Sequence, residues 1–127
     1  MVIVGDEVLL VKNWINAGEL SLPGGGTKRH ESTRMSAVRE LTEEVGITTP
    51  ESNLVRIGAR TKAQRGIKIS ADYYCVELSE KPRIAKQKLE IQDVLWAPVN
   101  EAGAYRLGED VKFALKRYKP AEQASLL

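Results

Sequence analysis

Residues 24–47 read GGGTKRHESTRMSAVRELTEEVGI. Three glycines lead through a polar segment into a stretch whose apolar side chains recur at helical spacing, about 100° per residue. This spacing predicts a helix over residues 33–45. Ser32 is its predicted N-cap, and Gly46 is the predicted left-handed residue that ends it.

The predicted helix carries three carboxylates beside its apolar stripe, at Glu40, Glu43 and Glu44. Acidic residues on a helix usually form a solvated face, which is normally stabilised by a Glu followed by a Lys four residues later. Here Glu40 and Glu44 repel each other at that spacing. Glu43 and Glu44 also lie in the last turn, where the helix dipole disfavours negative charge. Because oxygen ligands at this density suit Mg²⁺ or Mn²⁺, the cluster predicts a divalent-metal site.

The glycines at 24–26 precede this acidic helix closely. Leu22 and Pro23 predict an extended approach, after which the glycines allow backbone conformations that other residues avoid. Such a loop can direct N–H groups at phosphate oxygens or a carbonyl at a metal. Three glycines alone are more typical of a flexible turn, so the prediction depends on the acidic helix that follows.

Nine residues in this stretch have the spacing of the Nudix box. They are Gly25, Glu31, Arg39, Glu40, Leu41, Glu43, Glu44, Gly46 and Ile47. On these residues the chain resembles the Nudix hydrolase family, and the flanking order of elements is similar over nearly the whole chain. The resemblance implies an α/β fold of the Nudix type, an α/β/α sandwich with a mixed β-sheet between helices. It also implies hydrolysis of a nucleoside diphosphate linked to another moiety.

The resemblance implies a metal centre at the acidic helix. Glu40 and Glu44 would bind an essential Mg²⁺, for which Mn²⁺ can substitute. Glu43 would be a further ligand or the base that activates water, and the backbone carbonyl of Gly24 would join the metal shell. Metal is then needed for binding as well as for catalysis, because these carboxylates would otherwise repel a polyphosphate.

Three further residues receive catalytic or supporting roles from the same resemblance. Arg39 would orient the glutamates through hydrogen bonds, and Glu31 would support the site from the start of the helix. In some relatives the general base is a glutamate in the loop before the last strand, and Glu90 has the best position for that role here. The alternative for Glu90 is an exposed loop glutamate without a function.

Substrate contacts are predicted at Gly25 and Gly26, whose N–H groups can meet phosphate oxygens, and at Arg65. Arg65 belongs to a basic run over residues 56–68 that could contact phosphate or the 5′ end of a nucleic acid. The alternative, which we favour for the run as a whole, is a solvated hairpin. Because the formal net charge is only +2, we expect no nucleic-acid partner.

The sequence leaves the substrate open, because loops outside the box select it. Markers typical of ADP-ribose pyrophosphatases and of diadenosine polyphosphate hydrolases are missing at residues 62–65. We therefore predict a MutT-like, Mg²⁺-dependent pyrophosphohydrolase whose small-molecule partner is a nucleoside triphosphate. The alternatives are a hydrolase of ADP-ribose, another nucleotide sugar or a dinucleoside polyphosphate, and a Nudix module that senses a nucleotide without cleaving it.

Length and composition fit one domain over residues 1–127, since 127 residues with 43% hydrophobic content can form one core. Residues 120–127 are predicted to be a loose tail. The chain has no apolar run long enough to span a bilayer and no signal-peptide pattern, so we expect a cytoplasmic protein, monomeric or homodimeric. Cys75, the only cysteine, is expected in a core strand.

The remaining elements follow from periodicity and turn residues. Predicted strands span residues 2–4, 7–12, 54–61, 67–78 and 94–98. A helical turn is predicted over residues 100–105 and a final helix over residues 109–118.

Overall fold

The computed structural model describes residues 1–14, 18–86 and 91–118. The strands are β1 Val2–Val4, β2 Glu7–Asn13, β3 Leu20–Ser21, β4 Val55–Gln64, β5 Ile67–Leu78 and β6 Ile91–Pro98. The helices are α1 Thr33–Val45 and α2 Glu109–Arg117, with short 3₁₀ helices at Glu51–Asn53 and Val99–Ala104.

The strands form one mixed sheet in the order β3-β2-β1-β5-β4, and β6 pairs with β2. The only parallel pair among the described strands is β1 with β5, in which Val2 lies opposite Val76 and Val4 opposite Leu78. All other pairs are antiparallel. The long β4–β5 hairpin therefore joins the rest of the sheet through the three residues of β1.

Alternation along the strands gives the sheet two apolar faces, as strand geometry requires. Val8 and Leu10 of β2 pack in a core with Val111 and Ala114 of α2. Leu9 lies in the second core, which includes the apolar stripe of α1. One helix thus covers each face of the sheet, and the predicted α/β/α sandwich is confirmed.

The structure differs from the sequence-based prediction mainly at strand ends. β4 continues to Gln64 instead of ending at residue 61, because Arg65 and Gly66 both have positive φ (53° and 78°) and form a tight two-residue turn. β6 begins at Ile91, three residues early, because it pairs with β2 as far as Asn13. The short β3 and the first 3₁₀ helix were not predicted.

Two of the sequence-based predictions concern residues that the structure does not describe. The tail at residues 120–127 and Glu90 lie outside the described residues. Among the described helices, none has the length and apolar character needed to cross a membrane.

Candidate active site

Helix α1 begins and ends where the sequence predicts, at Thr33 and Val45. The Ser32 hydroxyl oxygen accepts a hydrogen bond of 3.0 Å from the Met35 N–H. Gly46 has φ of 74° and donates to the carbonyls at the end of the helix. These caps satisfy backbone groups that the helix leaves without partners and fix its position along the chain.

Two of the three predicted metal ligands on α1 are buried. Glu40 is 4% exposed and Glu44 is 6% exposed, one helical turn apart on the same face. The Glu43 side chain is 41% exposed. Burying a carboxylate is costly unless other groups compensate its charge, so this pair marks a built site rather than a solvated helix face.

Arg39 connects the carboxylates. Its Nη1 donates to Oε1 of Glu40 and Oε2 of Glu43, each at 2.9 Å. Its Nε and Nη2 donate to the two carboxylate oxygens of Glu31 at 2.8 and 3.0 Å. Its Nη2 also donates to the Gly26 carbonyl at 3.0 Å. One guanidinium therefore holds three glutamates and the glycine loop together, and its positioning role in the reaction stays a prediction.

The ion pair between Arg39 and Glu31 shifts the pKa values of both side chains. Hydrogen bonds from Arg39, with one from the Lys28 N–H, lower the pKa of Glu31 from 4.5 to about 2. The pairing with Glu31 in turn raises the pKa of Arg39. Both groups stay charged at neutral pH, which maintains the Arg39 contacts.

The glycine loop packs directly on the two buried carboxylates. The Gly24 N–H donates to Oε2 of Glu44 at 2.8 Å. A Cβ atom on Gly25 would lie 2.6 Å from Oε1 of Glu40, closer than any side chain allows. A Cβ on Gly25 would thus force the Glu40 carboxylate to shift, a constraint that the sequence position of Gly25 alone does not reveal.

The donor set fits a magnesium ion. Mg²⁺ is commonly bound by one or two protein carboxylates, with water and substrate phosphate oxygens completing its shell. Glu40 and Glu44 supply two such carboxylates side by side, and Glu43 is next to them in sequence. Within residues 1–14, 18–86 and 91–118, no three His, Cys, Asp or Glu side chains converge as a complete metal cluster. Two adjacent carboxylates suit a site whose remaining ligands are water and substrate oxygens.

A cleft of about 950 Å³ opens beside these glutamates, and Glu44 is part of its lining. The glycine loop, α1 and the β4–β5 hairpin form its walls. Arg60 and Lys62 of β4 line the cleft, whereas Arg65 lies exposed at the hairpin turn and does not. The assignment of Arg65 to substrate binding stays a prediction, and the structure adds Arg60 and Lys62 as candidates.

Sequence reasoning missed a polar network on the cleft wall. The Thr33 hydroxyl is 2.7 Å from Oδ2 of Asp72 and 2.7 Å from the Tyr74 hydroxyl. Arg56 donates to the other carboxylate oxygen of Asp72 at 3.0 Å. Hydrogen bonds from Thr33 and Arg56 lower the pKa of Asp72. The network joins the first turn of α1 to β5, and no local pattern signals it because its members lie far apart in sequence.

Comparisons with known proteins identify a family and a set of solved structures with the same fold. A family model described as the NUDIX domain matches residues 1–119. A comparison with curated protein sequences finds no match.

Solved structures with a similar fold include a MutT NUDIX hydrolase from Burkholderia pseudomallei, with 19% identity and a TM-score of 0.79, covering 93% of this chain and 92% of that one. The dihydroneopterin triphosphate pyrophosphohydrolase of E. coli has 17% identity and a TM-score of 0.76, covering 92% and 89%. The NUDIX domain of Shewanella oneidensis NrtR, complexed with ADP ribose, has 20% identity and a TM-score of 0.74, covering 95% and 78%. At these identities the structures show a shared fold.

Proposed function

The chain belongs to the Nudix hydrolase family, whose members act on phosphoric anhydride bonds, and we propose that it hydrolyses a nucleoside triphosphate with the help of Mg²⁺. The observation that carries this proposal is the buried pair Glu40 and Glu44, packed against the glycine loop. Two adjacent buried carboxylates suit a divalent cation, and a divalent cation lets an anionic polyphosphate enter an acidic site.

Each residue of the site has a proposed task. Glu40 and Glu44 hold the metal, with the Gly24 carbonyl and Glu43 as further candidate ligands. When bound, Mg²⁺ neutralises charge on the phosphate oxygens during attack by water. Glu43, the most exposed of the three helix glutamates, is our candidate to accept the proton of that water at its carboxylate. Glu90 is the alternative base.

Arg39 and Glu31 act on geometry in this proposal. Arg39 contacts Glu40 and Glu43 together, so it fixes their separation, and Glu31 fixes Arg39 with two hydrogen bonds. Gly25 and Gly26 are exposed, and their N–H groups are candidates to meet phosphate oxygens. Their role is to bind and orient the substrate rather than to react.

The cleft is lined by two cations and by the carboxylates of Glu19, Glu44, Asp72, Glu109 and Asp110, and the two cations favour a triphosphate over a sugar-linked substrate. Arg60 and Lys62 line the cleft that contains Glu44. Side chains of this kind suit negative charge on the group linked to the nucleotide, and a triphosphate carries more such charge than a neutral sugar. The remaining candidates are ADP-ribose, other nucleotide sugars and dinucleoside polyphosphates.

The decisive experiment is a substrate panel with product identification, run with Mg²⁺ and with EDTA. It includes canonical and oxidised nucleoside triphosphates, ADP-ribose, nucleotide sugars and dinucleoside polyphosphates. We expect metal-dependent release of pyrophosphate or phosphate from triphosphates. Nucleotide binding without turnover across the panel would instead support a sensing module.

The matched variant is Glu44→Gln, which keeps the size of the side chain and removes its charge. Its turnover should fall below about a tenth of the wild-type value while the fold is retained. Glu51→Gln, on an exposed 3₁₀ helix, is the control and should match wild type. Turnover above that level in Glu44→Gln would overturn the metal assignment.

A further inference from the structure

The segment before the glycine loop, residues 20–22, forms hydrogen bonds with the segment that leads into α2. The Leu20 N–H donates to the Arg106 carbonyl at 2.9 Å, and the Gly108 N–H donates to the Leu20 carbonyl at 2.8 Å. Two residues later, the Leu22 N–H donates to Oδ2 of Asp110 at 3.1 Å. Three hydrogen bonds therefore fix residues 20–22 against residues 106–110.

Residues 20–22 are followed directly by the glycine loop, which contacts the proposed metal ligand Glu44. Only Pro23 separates Leu22 from Gly24, and a proline has a fixed φ. The Gly24 N–H donates to the buried carboxylate of Glu44 at 2.8 Å. A connector of three residues, one of them proline, thus joins Asp110, at the start of α2, to Glu44, near the end of α1.

Asp110 is suited to hold this connector. Its Oδ1 accepts from the Val111 N–H at 2.8 Å, while Oδ2 accepts from Leu22, so both carboxylate oxygens are engaged by backbone groups. Burial raises the pKa of Asp110, with nearby Glu19 adding to the shift, while the backbone hydrogen bonds oppose it. Asp110 makes these contacts from a partly exposed position in the lining of the cleft.

Gly108 leaves the space that this contact needs. A Cβ atom there would lie 2.7 Å from Oδ1 of Asp110 and 2.9 Å from Oε1 of Glu19. Any larger residue would therefore displace both carboxylates. Since the φ of Gly108 is −69°, the restriction comes from crowding and not from backbone strain.

We propose that Asp110 is a positioning residue that sets the glycine loop against Glu44, so that α2 on one face of the sheet controls the metal affinity of α1 on the other. This inference rests on the proposed function in one respect, that Glu44 binds metal. The claim that Asp110 positions Gly24 through Leu22 does not depend on metal binding, because it rests on the hydrogen bonds at the two ends of this segment.

The test is Asp110→Asn, which keeps the shape but leaves one oxygen to serve two N–H donors. Mn²⁺ binding to the substrate-free protein is measured by electron paramagnetic resonance, and amide exchange of Leu22 and Gly24 by NMR. We expect about 10-fold weaker Mn²⁺ binding, because loss of a residue that orients a metal ligand usually costs about that much affinity. We also expect faster exchange at both amides. Gly108→Ala should act in the same direction by displacing Asp110.

Leu115→Ala is the control, because it weakens the packing of α2 against the core without touching Asp110. It should lower the melting temperature and leave Mn²⁺ affinity and Gly24 exchange unchanged. Equal losses of Mn²⁺ affinity in Leu115→Ala and Asp110→Asn would overturn the proposal, as would unchanged Gly24 exchange in Asp110→Asn. A wild-type protein that binds no Mn²⁺ would overturn the metal assignment, and Gly24 exchange would still decide the positioning role.

Discussion

Single residues set the geometry of the glutamate cluster, and Gly25 shows how. Its hydrogen atom occupies the place where a Cβ would meet both the carbon and the oxygens of the Glu40 carboxylate at 2.6 to 2.9 Å. Gly24 and Gly26 have open space at the same position. Of the three glycines, Gly25 alone is required by contact with a proposed metal ligand.

Gly25→Ala should therefore displace the Glu40 carboxylate and lower kcat/KM about 100-fold, because a shift of about 1 Å in a catalytic group has effects of that size. The measurement is steady-state hydrolysis over a range of Mg²⁺ concentrations. Gly103→Ala, where a Cβ meets no atom within 4 Å, is the control and should retain wild-type kinetics. Similar kinetics for the two variants would contradict the steric reason given for Gly25.

The charge of Glu31 should also be visible in stability. Its pKa is lowered from 4.5 to about 2 in the folded protein, so its contribution is complete above pH 4.5 and is lost as pH falls toward 2. Urea unfolding of wild type and Glu31→Gln, without metal, measures this contribution as a difference in free energy. The difference should shrink steadily over that range, and a constant difference would show that the Arg39–Glu31 pair does not depend on charge.

At the scale of elements, α1 was predicted with its full boundaries because its signals are local. Ser32 and Gly46 start and stop it within the segment that they cap. β3 and the start of β6 could not be predicted because pairing with β2 defines them, and the end of β4 could not because it depends on a positive φ at Arg65, which is uncommon for a residue other than glycine. The same reason explains the site: spacing along one helix predicted the glutamates, whereas Asp110 contacts Leu22 from 88 residues away.

The end of α1 should be sensitive to backbone conformation. Gly46 has φ of 74°, and Ala85 lies 3.1 Å from the position of a Cβ on Gly46. Gly46→Ala should lower the free energy of unfolding by about 1 to 2 kcal/mol, since non-glycine residues are strained at positive φ. Gly46→Asn carries the same Cβ but tolerates this conformation better, so it should lose less. If both variants are equally destabilised in urea, crowding against Ala85 is the main cause.

At the scale of the whole molecule, the cleft is assembled from segments far apart in the chain. The glycine loop, α1 and the β4–β5 hairpin each contribute to its lining. The first two are recognisable in the sequence as one motif, whereas the third is only a basic run. The sequence does not separate Arg60 and Lys62 from Arg65, because the direction of each side chain depends on how the hairpin joins the sheet.

Substitution of the cleft cations tests this assembly. Arg60→Gln and Lys62→Gln should each raise KM for a triphosphate about 10-fold with little change in kcat, since they remove binding shared by substrate and transition state. Lys68→Gln, on the same hairpin outside the cleft lining, is the matched control. A KM effect in Arg65→Gln with none in Arg60→Gln would favour the original sequence-based assignment.

The parallel pairing of β1 with β5 has a consequence for folding kinetics. β4 and β5 are joined by a two-residue turn, whereas Val2 must find Val76 across most of the chain. Closing so long a loop costs conformational entropy before any contact compensates for it, so we expect this pairing to form after the rate-limiting barrier. Val2→Ala should then speed unfolding with little effect on refolding in stopped-flow experiments. The lifetime of the native protein would thus depend on the three-residue pairing of β1 with β5.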